Sequence, residues 1–105
     1  MSFYFDPHAI RELQQATDYY SSISHTLGEA FACEMDRVIK RILSLPRAWT
    51  IITASIRRCR ARGFPYAVIY RLKDEQIEIL AVMHISREPN YWISRINEQT
   101  DSANG

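Results

Sequence analysis

The sequence predicts an α+β fold: an antiparallel sheet with helices packed on one face. Three observations carry that expectation. Apolar residues recur at helical spacing through the first half of the chain, from Pro7 to Leu45. From Ile56 onward the runs are short, β-branched and aromatic, as strands require. At 105 residues, with 47% hydrophobic and 24% charged residues, the chain has the composition of one globular domain. That domain is expected over residues 1–97, with a polar tail, EQTDSANG, over 98–105.

The elements follow in order. Residues SFYF read as a short strand, ended by Asp6-Pro7. Asp6 can cap a helix and Pro7 fits its first position, where a missing N–H costs nothing. Ile10, Leu13, Ala16 or Thr17, and Tyr20 then mark one face of a helix to about Ile23. Thr26 with Glu29 reads as a capping box for a second helix. Leu27, Phe31, Met35, Val38, Ile42 and Leu45 form its stripe, and Pro46 closes it. The two helices are expected to form a hairpin. Residues PRAWTIITAS read as a loop. In IRRCRARGF, strand alternation puts Arg58, Arg60 and Arg62 on one face and Arg57, Cys59 and Ala61 on the other. PYAVIYRLK and QIEILAVMH are the arms of a hairpin turning at Asp74-Glu75. Ile77, Ile79, Ala81 and Met83 are the more apolar set of the returning strand, so they are expected to face the helices, with His84 on the opposite face. EPNYWISRI reads as a short C-terminal helix, with Trp92 and Ile96 packing it onto the sheet.

Charge is nearly balanced at +1 but unevenly spread. No Asp or Glu occurs from Arg37 to Lys73, and 10 of the 13 basic residues lie there. Such a span makes a basic surface wherever its residues share a face, and its complement is a polyanion or an acidic protein. No apolar stretch approaches the roughly 20 residues of a membrane span, and the N-terminus lacks the features of a signal peptide, so a cytoplasmic location is expected. Cys33 and Cys59 are expected to be reduced and packed. No metal-ligand spacing is present, and neither metal nor cofactor is expected.

The opening strand, the two helices, the strand pair IRRCRARGFPYAVIYRL and the ending ILAVMHISREPNYW together resemble toxins of the RelE/ParE superfamily, from type II toxin–antitoxin systems. The resemblance covers about residues 2 to 96. Its most specific parts are Phe64-Pro65-Tyr66, Tyr70-Arg71, and His84-x-x-Arg87-Glu88-Pro89 followed by Trp92. It implies a bacterial growth inhibitor held silent by a cognate antitoxin, as a dimer or a hetero-oligomer with that antitoxin. The superfamily divides by target: RelE-like members cut messenger RNA on the ribosome, and ParE-like members inhibit DNA gyrase. The ending resembles the ParE and plasmid-stabilisation branch. A member that only binds antitoxin or DNA is a third reading.

RNA cleavage by an internal 2′-hydroxyl needs a base, an acid and cations for the developing phosphate charge. His84, Arg87 and Tyr91 are the candidates for that chemistry. Arg58, Arg60, Arg62 and Arg87 are candidates for holding phosphate or a target protein. The resemblance to RelE-like nucleases implies sheet lysines and a tyrosine late in the last helix, whereas residues 56–62 carry no lysine and Tyr91 follows close behind Arg87; His84 also has no evident partner carboxylate. Ile39 and Leu43 widen the stripe of the second helix. They either receive an amphipathic antitoxin helix or face the first helix. Arg57 is expected to be structural, paired with an acid of the helices.

Overall fold

The structure is a computed structural model and describes residues 1–96. Its elements are β1 (Ser2–Phe5), α1 (Pro7–Ile23), α2 (His25–Ser44), β2 (Thr50–Thr53), β3 (Ile56–Arg60), β4 (Tyr66–Lys73) and β5 (Gln76–His84), followed by a helical turn over 93–96. The strands form one sheet in the order β1-β5-β4-β3-β2. All neighbours are antiparallel except β1, which runs parallel to β5. The residues of the expected polar tail, 98–105, lie outside those described.

Asp6 caps α1 as expected, its carboxylate accepting from the His8 N–H at 2.8 Å. The cap of α2 differs from expectation. It is Ser24, whose hydroxyl accepts from the Leu27 N–H at 3.0 Å, not Thr26. Ser24 is also the single extended residue between the two helices, so the hairpin turns on one residue. Gly28 makes that turn possible. A Cβ there would stand 2.9 Å from the Ser21 Cα and 2.0 Å from its Oγ, closer than atoms can approach.

The helices pack on one face of the sheet. Phe31, Met35, Val38 and Ile42 of α2 and Ala9 and Ala16 of α1 meet Cys59, Val68, Tyr70, Ile77, Ile79 and Val82. Burying such side chains contributes about 1.5–3 kcal/mol each for the larger ones. Leu45, the last residue of the predicted stripe, is exposed at the end of α2. The Tyr70 hydroxyl donates to the Pro46 carbonyl at 2.6 Å, and the Trp49 indole donates to the Arg41 carbonyl at 3.2 Å. Glu34 is buried and accepts from Arg41 Nη2 at 2.6 Å and from the Arg62 N–H at 2.7 Å. Burial alone would raise its pKa; those two donors outweigh it and lower it.

Four expectations need correction. TIIT is a strand, the edge strand β2, rather than part of a loop; β-branched residues pairing with β3 explain it. Cys33 is exposed, though both cysteines are free as expected. The C-terminal helix starts at 93, because Asn90 takes φ 71° and breaks the backbone after Pro89. The fourth decides the site. Ile69 pairs with Ala81 but the next residue, Tyr70, pairs with Ile79, so Leu80 is an extra residue in β5. This bulge reverses the alternation. Ile77, Ile79 and Val82 face the helices, whereas Leu80, Ala81 and Met83 face away, against Ile56, Ile69 and Trp92. His84 therefore lies on the helix side, its ring edge-on to Tyr66 at 5.1 Å.

Candidate functional site

The bulge also exposes backbone that must be satisfied. β1 pairs with β5 only as far as Ile79, after which the chain turns into α1. The outer edge of β5 beyond that point has unpaired polar groups at Leu80 and Val82. Two side chains from opposite ends of the chain fill the gap. Glu12 Oε1 accepts from the Val82 N–H at 3.1 Å, and Arg95 Nη1 donates to the Leu80 carbonyl at 2.7 Å. Glu12 and Arg95 then bind each other in a fork, Nη1 to Oε1 at 2.8 Å and Nη2 to Oε2 at 3.0 Å.

Tyr91 completes the cluster by donating its hydroxyl to Glu12 Oε2. Burial first, then this bond and the charge of Glu12, push the Tyr91 pKa well above the usual phenol value, and Arg95 and Arg87 pull it back only in part. Burial would lower the pKa of Arg95, but Glu12 outweighs it and raises it. Arg87 lies over the Tyr91 ring, Cζ 3.9 Å from its centroid, and stays 54% exposed. Its nearest acid is Glu12 at 4.0 Å, not the adjacent Glu88.

Between α1 and the end of β5 runs a groove of about 320 Å³, lined by Glu12, Gln15, Tyr19, Tyr66, His84 and Arg87, with Ala16 and Val82 at its floor. His84 Nδ1 accepts from the Ser86 N–H at 3.0 Å, which leaves Nε2 as the protonated nitrogen of the neutral ring.

The arginines of β3 are elsewhere. Arg58 and Arg60 lie exposed on the face away from the helices, flanking Ala67, Met83 and Ile85 in a depression of about 300 Å³. Neither forms an ion pair among the described residues. Arg62 does not join them: β3 has ended, and its N–H is pinned to Glu34. Arg87 does not join them either, since it belongs to the groove. Arg57 is structural as expected, but it donates to the Trp49 carbonyl at 2.8 Å rather than to an acid. On α2, Ile39 and Leu43 are both half-buried, and Leu43 packs against the helix-side core.

Of the three residues singled out from the sequence, His84 and Arg87 line the groove and Tyr91 lies beneath Arg87; Glu12, which binds Tyr91 and stands nearest Arg87, was not singled out. Its one signal is position: an acid beside Leu13 and one turn before Ala16, on the border of the apolar stripe of α1. Among the described residues no group of His, Cys, Asp and Glu is placed to hold a metal ion, and no helix is long and apolar enough to cross a membrane.

Comparison with known proteins agrees with this architecture. Residues 3–89 match the family described as the ParE toxin of the type II toxin–antitoxin system parDE. The chain is 33% identical over 90 residues to Toxin ParE2 of Mycobacterium tuberculosis, from strains CDC 1551 / Oshkosh and ATCC 25618 / H37Rv alike. That alignment covers 85% of this chain and 86% of the relative. A solved structure described as the chromosomal ParDE TA system from P. aeruginosa has the same fold, with a TM-score of 0.61 at 16% identity, covering 82% of this chain and 97% of that one. A family match over residues 3–89, and a relative alike in sequence across nearly its whole length, place the chain in the ParE toxin family of type II toxin–antitoxin systems.

Proposed function

We propose that the protein is a growth-inhibiting toxin that acts by binding DNA gyrase, without cutting RNA, and that a cognate antitoxin silences it. The observation that carries the choice of mechanism is the bond from Tyr91 to Glu12. A tyrosine that donates to a half-buried, already paired carboxylate, with its pKa driven up, is a poor proton-transfer group at neutral pH. His84 alone cannot supply both an acid and a base, and its Nδ1 is taken by Ser86. What the molecule offers instead is exposed cation with no ion pair among the described residues. Arg58 and Arg60 form the target-facing surface, where rigid planar donors on a strand suit carboxylates of a protein partner. Ile39 and Leu43 of α2 border the surface that receives an antitoxin helix. The solved relative described as a ParDE system supports a partner of this kind.

The test is inducible expression in a bacterial host without antitoxin, following growth, transcript integrity and plasmid supercoiling in the same cells. Arrest with disturbed supercoiling and intact transcripts is expected. Arrest with cut transcripts and normal supercoiling makes the protein a ribosome-dependent endoribonuclease and overturns the gyrase reading. Continued growth with soluble, folded protein overturns the toxin reading as well.

A further inference from the structure

We propose that the groove between α1 and the end of β5 seats a partner segment that inserts one carboxylate against Arg87 and a neighbouring apolar side chain against Tyr19 and Tyr66. Only the identity of that partner, the antitoxin, rests on the toxin reading; the ligand chemistry comes from the groove itself.

Arg87 is held ready for an anion. Its guanidinium is fixed over the Tyr91 ring at 3.9 Å, so little freedom is lost on binding. The acid nearest to it cannot satisfy it. Both oxygens of Glu12 are already occupied, by Val82 and Arg95 on one and by Tyr91 and Arg95 on the other. The guanidinium therefore stays largely exposed, with its contact to Glu12 no closer than 4.0 Å. Beside it, Tyr19 is 60% exposed and Tyr66 half-buried, with Ala16 and Val82 below them. Arginine and tyrosine around a small apolar floor are the residue types that dominate binding energy at protein interfaces.

The groove favours a single carboxylate over a nucleic-acid strand. A strand carries a charge at every nucleotide and needs a continuous basic track. Here one exposed guanidinium stands next to the Glu12 carboxylate, and Arg58 and Arg60 lie on the other face of the sheet. At about 320 Å³ the groove accepts one or two side chains. His84 closes its far wall, held edge-on by Tyr66.

The test titrates the ¹⁵N-labelled protein with 3-phenylpropionate, 3-phenylpropanamide and uridine 3′-monophosphate, following the Arg87 Nε–H and the amides of residues 82–87. The propionate is expected to shift these signals saturably and to bind about tenfold tighter than its neutral amide, the scale of a hydrogen bond to a charged group. Arg87→Gln should weaken it by a similar factor, and Arg87→Lys should restore part of the loss. Equal binding of acid and amide, tighter binding of the nucleotide, binding that survives Arg87→Gln, or no binding of any probe would each overturn the proposal. Toxicity does not enter the titration. A chain that binds propionate but fails to arrest growth leaves the groove assignment standing and breaks the toxin reading; the converse result does the opposite.

Discussion

The edge of β5 and the open face of β3 treat their arginines in opposite ways. At the edge of β5, Arg95 is buried and fully paired, and Arg87 lies over Tyr91 beside the same carboxylate. On the open face of β3, Arg58 and Arg60 stand exposed with no ion pair among the described residues. The first arrangement satisfies the backbone polar groups that a bulge exposes. The second leaves charge uncompensated, which costs the fold little at the surface and is available to a partner. A charge count treats these arginines as equivalent, whereas their surroundings separate structural from recognition roles.

Removing the shared carboxylate should break the first region and produce the largest effect. Glu12→Ala strips the partner from buried Arg95 and orphans the Val82 N–H and the Tyr91 hydroxyl. Losing one side of a buried pair costs about 3–5 kcal/mol. Urea unfolding at neutral pH measures it, and a loss under about 1 kcal/mol would show the cluster to be merely decorative. Because Tyr91 and Arg95 come from the C-terminal segment, residues 85–96 should also lose amide-exchange protection before the rest.

The same measurement sharpens the contrast on β3. Arg58→Ala with Arg60→Ala should change stability by no more than about 0.5 kcal/mol, the range of ordinary surface substitutions. Growth arrest, in contrast, should be lost. A double variant that still arrests growth would remove these arginines from the target surface.

How much of this was readable beforehand follows from range. Local signals were sound: Asp6-Pro7 opens α1, Pro46 ends the second helix, and Asp74-Glu75 turns the hairpin, with both residues at positive φ in the manner of a primed turn. The resemblance of the ending to the ParE branch was equally legible, since it needs only residues in order. The face of His84 was not. One bulged residue, Leu80, inverts everything beyond it, and alternation read along QIEILAVMH contains no mark of that insertion. Nor was the Glu12 cluster, whose other members lie 70 to 83 residues beyond Glu12 in the chain. Strand β2 was missed because TIIT is short and follows a proline, a tryptophan and an arginine that all read as loop.

Alkaline titration offers a smaller, signed test of the buried cluster. Tyr91 holds its proton to higher pH in the folded protein than in the unfolded chain, where phenols titrate near 10. Its stabilising contribution is thus complete below about pH 10 and falls as pH rises toward the folded value. Tyr70, pushed up to about 12 chiefly by burial, behaves alike. Each group adds about 1.4 kcal/mol per pH unit to the loss of stability in that window. Tyr91→Phe should remove one such share of the slope between pH 10 and 12, at the cost of a lower stability at neutral pH. An unchanged slope would mean that Tyr91 is not buried against Glu12 in solution.

The smallest expected effect belongs to the residue that first looks most catalytic. His84 lies at the end of β5, takes a hydrogen bond from the Ser86 N–H and closes a wall of the groove. It faces neither Arg58 nor Arg60, which the bulge leaves on the other side of the sheet. If the toxin works as a binding inhibitor through those arginines, His84→Ala loses the local turn contact, about 1 kcal/mol, and the edge contact with Tyr66. Growth arrest should then stay within about threefold of the parent in inducer dose, since 1 kcal/mol is worth less than a factor of ten. A general acid or base would behave otherwise, because removing one costs roughly 10²-fold or more. Arrest that collapses by that factor in His84→Ala, with folded protein present, would move the chemistry from the arginine face into the groove. The two regions would then exchange roles, with the paired side of the molecule doing the work and the unpaired arginines left without a function.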